Sequence, residues 1–193
     1  MGKEQPPEYY DQIYKRSDEY RKNWRSSRYV RVWEAMVSYL DKEVLTIDLG
    51  CGVGQTAGLL HSLGFEKYYG VDFSMQAIKL AVGCDGVSHP GYSFTCADIL
   101  EFSQLPVTVK AQYFISETLE HIICDTELLE NLTKSSPGSM IALSVPTFND
   151  PAHVRHFKGV KDAVDRYSPF IDVEVSKQIG PWIVICGTLI KPL

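Results

Sequence analysis

The sequence predicts an α/β chain built on one doubly wound sheet of seven strands, mostly parallel, with a reversed strand at its C-terminus. Three observations predict it. From Val44 onward, apolar runs alternate with helix-like segments. The first run, Val44-Leu-Thr-Ile47, is followed by Asp48-Leu-Gly-Cys-Gly-Val-Gly54, a turn with glycine at every second position. The last two runs are joined only by Gly180-Pro181, too short for a crossover helix, so they pair as an antiparallel hairpin.

The elements follow in order. Strands are expected at 44–48, 67–72, 92–96, 111–116, 139–145, 171–178 and 182–190, and helices between them at 55–63, 74–83, 125–134 and 158–167. Gly64 caps the first of these helices at its C-terminus, and Ser74 opens the second as an N-cap. Residues 1–41 have a different texture, rich in Tyr, Trp, Lys and Arg. Within them Tyr29, Val32, Trp33, Met36 and Leu40 recur at helical spacing, which predicts an amphipathic helix over Ser27–Leu40. Tyr10–Tyr20 reads as a second helix or a lid. The expected organisation is a single domain, with an N-terminal helical lid or substrate segment (1–41) ahead of a core (42–193).

The glycine turn and the acid at the end of the next run, Asp72, describe the first β-α-β unit of a Rossmann-like nucleoside-binding sheet. Glycines there permit positive φ and close approach of a ligand to backbone. A carboxylate at the tip of the second strand can take both ribose hydroxyls of an adenosine. Gly52-Val-Gly54-Gln-Thr-Ala57 also satisfies G-x-G-x-x-A, so the turn alone leaves a nicotinamide-dependent oxidoreductase open.

Four segments in order separate the readings. Asp48 to Gly54, Tyr68-Tyr-Gly-Val-Asp-Phe-Ser74, Thr95-Cys-Ala-Asp98-Ile99 and Gln112 to His121 resemble the successive motifs of class I S-adenosylmethionine-dependent methyltransferases. The resemblance implies the class I methyltransferase fold and S-adenosyl-L-methionine as cofactor. On this resemblance the cofactor lies against Asp48, Gly50, Cys51, Gly52, Gly54, Gln55, Asp72, Phe73, Asp98, Ile99 and Ser116. Asp48 is expected to order the glycine loop through backbone N–H groups, Asp72 to bind the ribose, Phe73 to face the adenine and Asp98 to accept from its amino group. Cys51 reads as a small packed residue, and Cys84, Cys96, Cys124 and Cys186 as filler.

Glu117, Glu120 and His121 follow the fourth strand. If helical, their spacing places all three on one face, where they can supply a general base or bind a divalent cation. Glu-x-x-Glu-His resembles a signature shared by 3-demethylubiquinone O-methyltransferases and small-RNA 3′-end 2′-O-methyltransferases, and implies a metal such as Mg2+ gripping two hydroxyls. His153 or His156 would be the fourth ligand. The segment around them resembles the substrate loop of small-molecule enzymes and lacks the longer His-rich stretch of the RNA enzymes. Candidate catalytic groups are therefore His121, His153 and Glu117. The expected activity is O-methylation of a small molecule, with RNA 2′-O-methylation as a variant using Arg21, Arg25 and Arg28. A non-catalytic cofactor-binding module is a further alternative. Structural roles for these Glu and His residues remain open beside the catalytic ones, and amine acceptors beside hydroxyls.

Composition narrows the partners. The chain has 193 residues, 45% hydrophobic and 22% charged, enough for one full core. A net charge of -5 argues against nucleic-acid binding by bulk charge. No run reaches membrane-spanning length. Five cysteines without a C-x-x-C pair suit a reduced, cytoplasmic setting. Oligomeric state is not readable.

Overall fold

The computed structural model describes residues 2–83, 89–105 and 107–191; Cys84 falls outside them. Strands β1 (Leu45–Leu49), β2 (Tyr68–Asp72), β3 (Tyr92–Cys96), β4 (Ala111–Ser116), β5 (Met140–Pro146), β6 (Ile171–Ile179) and β7 (Trp182–Leu189) form one sheet in the order β3-β2-β1-β4-β5-β7-β6. Neighbours among β1 to β5 are parallel, and β7 runs antiparallel between β5 and β6. Gly180, at φ 59°, makes the tight reversal that the two-residue connection demands.

Both faces of the sheet are covered, as parallel strands require. Along β4 the alternation is direct. Tyr113 and Ile115 enter a core shared with Leu128, Leu129, Leu132 and Tyr167, while Phe114 enters the opposite core with Met36, Leu60 and Val184. The first core is closed by α6 (Asp125–Ser135) and α7 (Val160–Tyr167). The second is closed by α2 (Val30–Val37) and α3 (Gln55–Ser62). Helix α2 buries Val32, Trp33, Met36 and Val37, so this part of the N-terminal segment belongs to the sheet's own core.

Three expectations are corrected. The helix expected over Ser27–Leu40 contracts to α2. Tyr10–Tyr20 resolves into α1 (Pro7–Arg16), begun by a proline at its first position, and a 3₁₀ turn at Asp18–Arg21, with a second 3₁₀ turn following at Trp24–Ser26. Helix α5 (Ile99–Ser103) was not expected, because five residues carry too little periodicity to register. Helix α4 (Met75–Val82) has the Ser74 cap, whose hydroxyl accepts from the Ala77 amide at 3.0 Å.

One buried network locks the loop after β4 to the helices beneath it. Asp125 is fully buried and accepts two bonds from Arg166 (2.8 and 2.6 Å) and one from the Tyr167 hydroxyl (3.0 Å). Arg155 completes it at 3.1 Å and also donates to the carbonyls of Leu119, Ile122 and Ile123. Removing Asp125 leaves two partly exposed guanidiniums and the buried Tyr167 hydroxyl without their shared acceptor. Asp125→Ala is therefore expected to lower unfolding free energy by about 3–5 kcal/mol, read from urea denaturation; a loss under about 1 kcal/mol contradicts this account.

Candidate active site

The strand order reverses between β1 and β4, and ligands of open α/β sheets bind at the C-terminal side of that switch. The loop after β1 and the loop after β4 meet there. Gly50 has φ 86°, and a Cβ on it would lie 2.3 Å from the Thr118 hydroxyl oxygen, so the two loops can touch only through glycine. Gly52, at φ 52°, sits beside the Tyr14 ring.

The loop's amides are largely used within the protein. Gly50 and Cys51 donate to the Val71 carbonyl (2.8 and 3.0 Å), and Gly54 donates to the Cys51 carbonyl (3.1 Å). Gly52 donates to Asp72 Oδ2 (2.9 Å). Asp72 is thus the residue that ties the loop, a role expected of Asp48. Asp48 instead accepts the hydroxyls of Thr56 (2.5 Å) and Tyr68 (2.6 Å) beneath the loop. The correction follows from depth: Asp48 is the penultimate residue of β1 and 1% exposed, where only side chains from α3 and β2 reach it. Burial raises both carboxyls to about 6.

Two cavities meet at this point. The first is lined by Asp72, Phe73, Asp98, Ile99 and Gly50, with Tyr10, Tyr14, Glu4 and Gln5 of the N-terminal segment over it. The second is lined by Asp48, Gly50, Cys51, Gly52, Gln55 and Ser116, with Tyr29 and Trp33. The eleven residues expected to face a cofactor therefore divide between them, except Gly54, which lines neither. Gly54 serves packing: a Cβ there would meet Ala81 at 3.1 Å.

Several of these residues have structural work as well. Asp98 is exposed and caps α5, accepting from the Leu100 amide at 2.8 Å. Ser116 accepts from the Trp33 indole and pairs with the Ser144 hydroxyl, both at 3.0 Å. Gln55 reaches the carbonyls of Glu19 and Lys22 (3.1 and 2.8 Å), fastening the 3₁₀ turns over the second cavity. Tyr10 and Tyr14 lie in the stretch read from the sequence as a second helix or a lid, and they wall the first cavity from α1.

The Glu/His group is not a helical face. Glu117 is a loop residue at φ 53°, the only non-glycine residue with positive φ among those described, and only Leu119–His121 form a 3₁₀ turn. Held in this uncommon conformation, Glu117 lines both cavities. Its carboxylate accepts from Ser144 Oγ at 3.0 Å, and burial raises its pKa to about 7.

Glu120, His121 and His153 form a separate group whose ligand atoms lie within 4.8 Å of one another. His156 is exposed and lies outside this group, as does Glu117, so neither joins the ligand set read from the sequence. Glu120 is fully buried and neither of its oxygens has a hydrogen-bond partner. His121 Nδ1 faces the Ala152 carbonyl at 3.0 Å, and His153 Nδ1 faces the Phe148 carbonyl at 3.3 Å. A carbonyl only accepts, so each Nδ1 carries the proton and each Nε2 keeps its lone pair. His121 Nε2 stands 3.8 Å from Glu120 Oε1. Burial lowers the His121 pKa to about 4 and raises that of Glu120. Glu120 and the two imidazoles offer ligand atoms within reach of one another, a set that fits a divalent cation once Glu120 ionises, with the Nδ1 hydrogen bonds already in place.

Comparison with known proteins agrees with this geometry. Residues 47–134 match the family described as Methyltransferase domain. No curated protein matches the chain in sequence. Among solved structures, magnesium protoporphyrin IX methyltransferase from Synechocystis PCC 6803 with bound S-adenosylhomocysteine is similar at TM-score 0.73 and 13% identity, covering 95% of this chain and 100% of that one. The N-methyltransferase NodS from Bradyrhizobium japonicum WM9 is similar at TM-score 0.70 and 15% identity, covering 94% and 97%. The [4+2]-cyclase SpnF is similar at TM-score 0.75 and 13% identity, covering 99% and 97%. At these identities the likeness concerns the fold, and SpnF demonstrates that the fold also carries other chemistry. Residues 47–134 thus match a methyltransferase domain, set in a sheet with the class I methyltransferase fold.

Proposed function

We propose that the chain methylates a hydroxyl oxygen of a small molecule, with Glu117 as the proton acceptor and Glu120, His121 and His153 as the residues that would hold a divalent cation. The observation that carries this reading is the position of Glu117 at the junction of the two cavities. Asp72, Phe73 and Ile99 suit an adenosine in the first cavity, and Asp48, Gly52 and Gln55 suit an amino-acid tail in the second. Glu117 then stands where the two halves of that cofactor meet. Bound S-adenosylmethionine supplies an electrophilic methyl on its sulfonium.

The rest falls to the chain's own residues. The N-terminal tyrosines exclude water, and the loops hold donor and acceptor in line. An acceptor hydroxyl must lose a proton, and a base works best with a pKa near the ambient pH. Burial moves the Glu117 carboxyl up toward that range and the His121 imidazole down away from it. This shifts the proton-accepting role from His121, where the sequence placed it first, to Glu117. A cation at Glu120, His121 and His153 would lower the pKa of a hydroxyl bound to it.

The nicotinamide alternative gains no support. A pyrophosphate needs free backbone donors, and the amides of Gly50, Cys51, Gly52 and Gly54 are engaged internally. The RNA variant gains none either. Arg25 lies over the Trp24 ring, Arg28 is bound to Tyr29 and Arg21 to the Lys15 carbonyl.

The test is incubation with methyl-labelled S-adenosylmethionine and a pool of small hydroxylated and aminated compounds, with products read by mass spectrometry. Label is expected on oxygen. Glu117→Gln is expected to slow transfer by about 10²–10⁴-fold while S-adenosylhomocysteine still binds. Label on nitrogen alone, or full activity in Glu117→Gln, would reject the proposal.

A further inference from the structure

The first residues of the chain are fastened to the segments that carry the Glu/His group. The Gly2 amide donates to the His153 carbonyl at 2.8 Å, and the Lys3 amide to the Pro151 carbonyl at 3.2 Å. Glu4 Oε2 accepts from the Ile123 amide at 2.8 Å, two residues past His121. The approach at Gly2 admits no side chain, since a Cβ would lie 2.2 Å from the Pro151 oxygen. Farther on, the Tyr10 ring stands edge-on to His121 at 5.6 Å and packs on Phe73 at 5.3 Å. Its hydroxyl is buried without a partner.

This strap therefore touches two ligand sites at once. Glu4, Gln5, Tyr10 and Tyr14 wall the cavity that contains Asp72 and Phe73. The backbone positions that hold the strap belong to the two segments, 120–123 and 150–153, that bring Glu120, His121 and His153 together. Their ligand atoms lie within 4.8 Å of one another, so a cation bound by all three would join the two segments. Whatever draws the segments together also fixes the anchors of the strap.

We infer that a divalent cation at Glu120, His121 and His153 tightens the anchors of the N-terminal strap over the cofactor cavity, so that cation and cofactor bind cooperatively. The inference rests on the cation-binding part of the proposed function. It is a claim about coupling, and coupling is reciprocal: each ligand must raise the affinity of the other by one common factor. The strap carries the coupling, because it contacts both sites through different residues.

The experiment is isothermal titration of the full chain with Mn2+ and S-adenosylhomocysteine, each alone and in the presence of the other. About tenfold mutual enhancement is expected in the wild type, within the usual range of such couplings. Amide hydrogen exchange in α1 should slow on adding Mn2+ alone. Gly2→Val places a side chain against Pro151, and Lys3→Pro removes the amide that reaches the same carbonyl. Both variants should bind each ligand singly as the wild type does and lose the enhancement.

Mn2+ and S-adenosylhomocysteine binding independently to the wild type would overturn the inference, as would full enhancement in both variants. Failure of Mn2+ to bind while S-adenosylhomocysteine binds would remove the cation reading, and this inference with it. Failure of S-adenosylhomocysteine to bind would count against the cofactor assignment instead.

Discussion

Asp72→Ala should weaken cofactor affinity at least ~100-fold in an otherwise folded protein. The carboxylate holds the Gly52 and Ser74 amides with one lone pair on each oxygen and leaves the other pair for a ribose diol. Hydrogen bonds to a charged group are worth about 1.5–3 kcal/mol each. Losing two from the ligand, with the loop amide of Gly52 freed as well, predicts at least a ~100-fold weaker affinity for S-adenosylhomocysteine by calorimetry. The comparison variant is Asp98→Ala. Asp98 is exposed and already caps α5, so its loss should cost about tenfold or less. Equal losses in the two variants would contradict the division of labour between these acids.

The second large effect concerns Asp48 and runs against the usual direction for a carboxyl. Burial beneath the glycine loop outweighs the Thr56 and Tyr68 hydroxyls and lifts its pKa from 3.8 to about 6. A group whose folded pKa is raised binds more protons folded than unfolded. Its contribution is fully present below the unfolded value near 3.8 and is lost as pH climbs through 6. Asp48→Asn keeps the acceptor and never ionises. Relative to wild type, the variant should therefore gain about 2 kcal/mol of stability as pH moves from 4 to 8. Urea denaturation of both proteins across that range checks it. A difference that does not change with pH, or that changes in the opposite sense, would show that Asp48 stays ionised throughout.

Much of the scaffold was legible from residue pattern. The β3 and β4 bounds coincide with those read from the sequence, and most other strand ends fall within one residue. The reversed C-terminal strand followed from the two-residue connection alone. These features are local: a period of two, a helical stripe, a cap or a short link records itself in neighbouring residues. Helix α5 escaped because one turn leaves no period, and the lateral order of the strands was not legible because no local pattern encodes which strands pair.

The site was legible as a set of residue types and much less as an arrangement. Asp72 could be placed because it ends a strand next to a glycine turn. Glu117, Glu120 and His121 could not, because their spacing suggests one helical face while the positive φ at Glu117 breaks the helical run and leaves it outside the Glu120–His121–His153 group. The same break gives Glu117 a place between the cavities and leaves Glu120 and His121 to meet His153, which is more than thirty positions away in the chain.

By itself, the amino-acid sequence determined the strands, the reversed C-terminal hairpin and the glycine turn, since each is written in contacts between near neighbours. Only the tertiary structure decided which acid ties the loop, which carboxyl is tuned toward neutrality, and which Glu and His side chains converge. Those outcomes depend on burial and on encounters between distant segments, and neither is set by spacing along the chain.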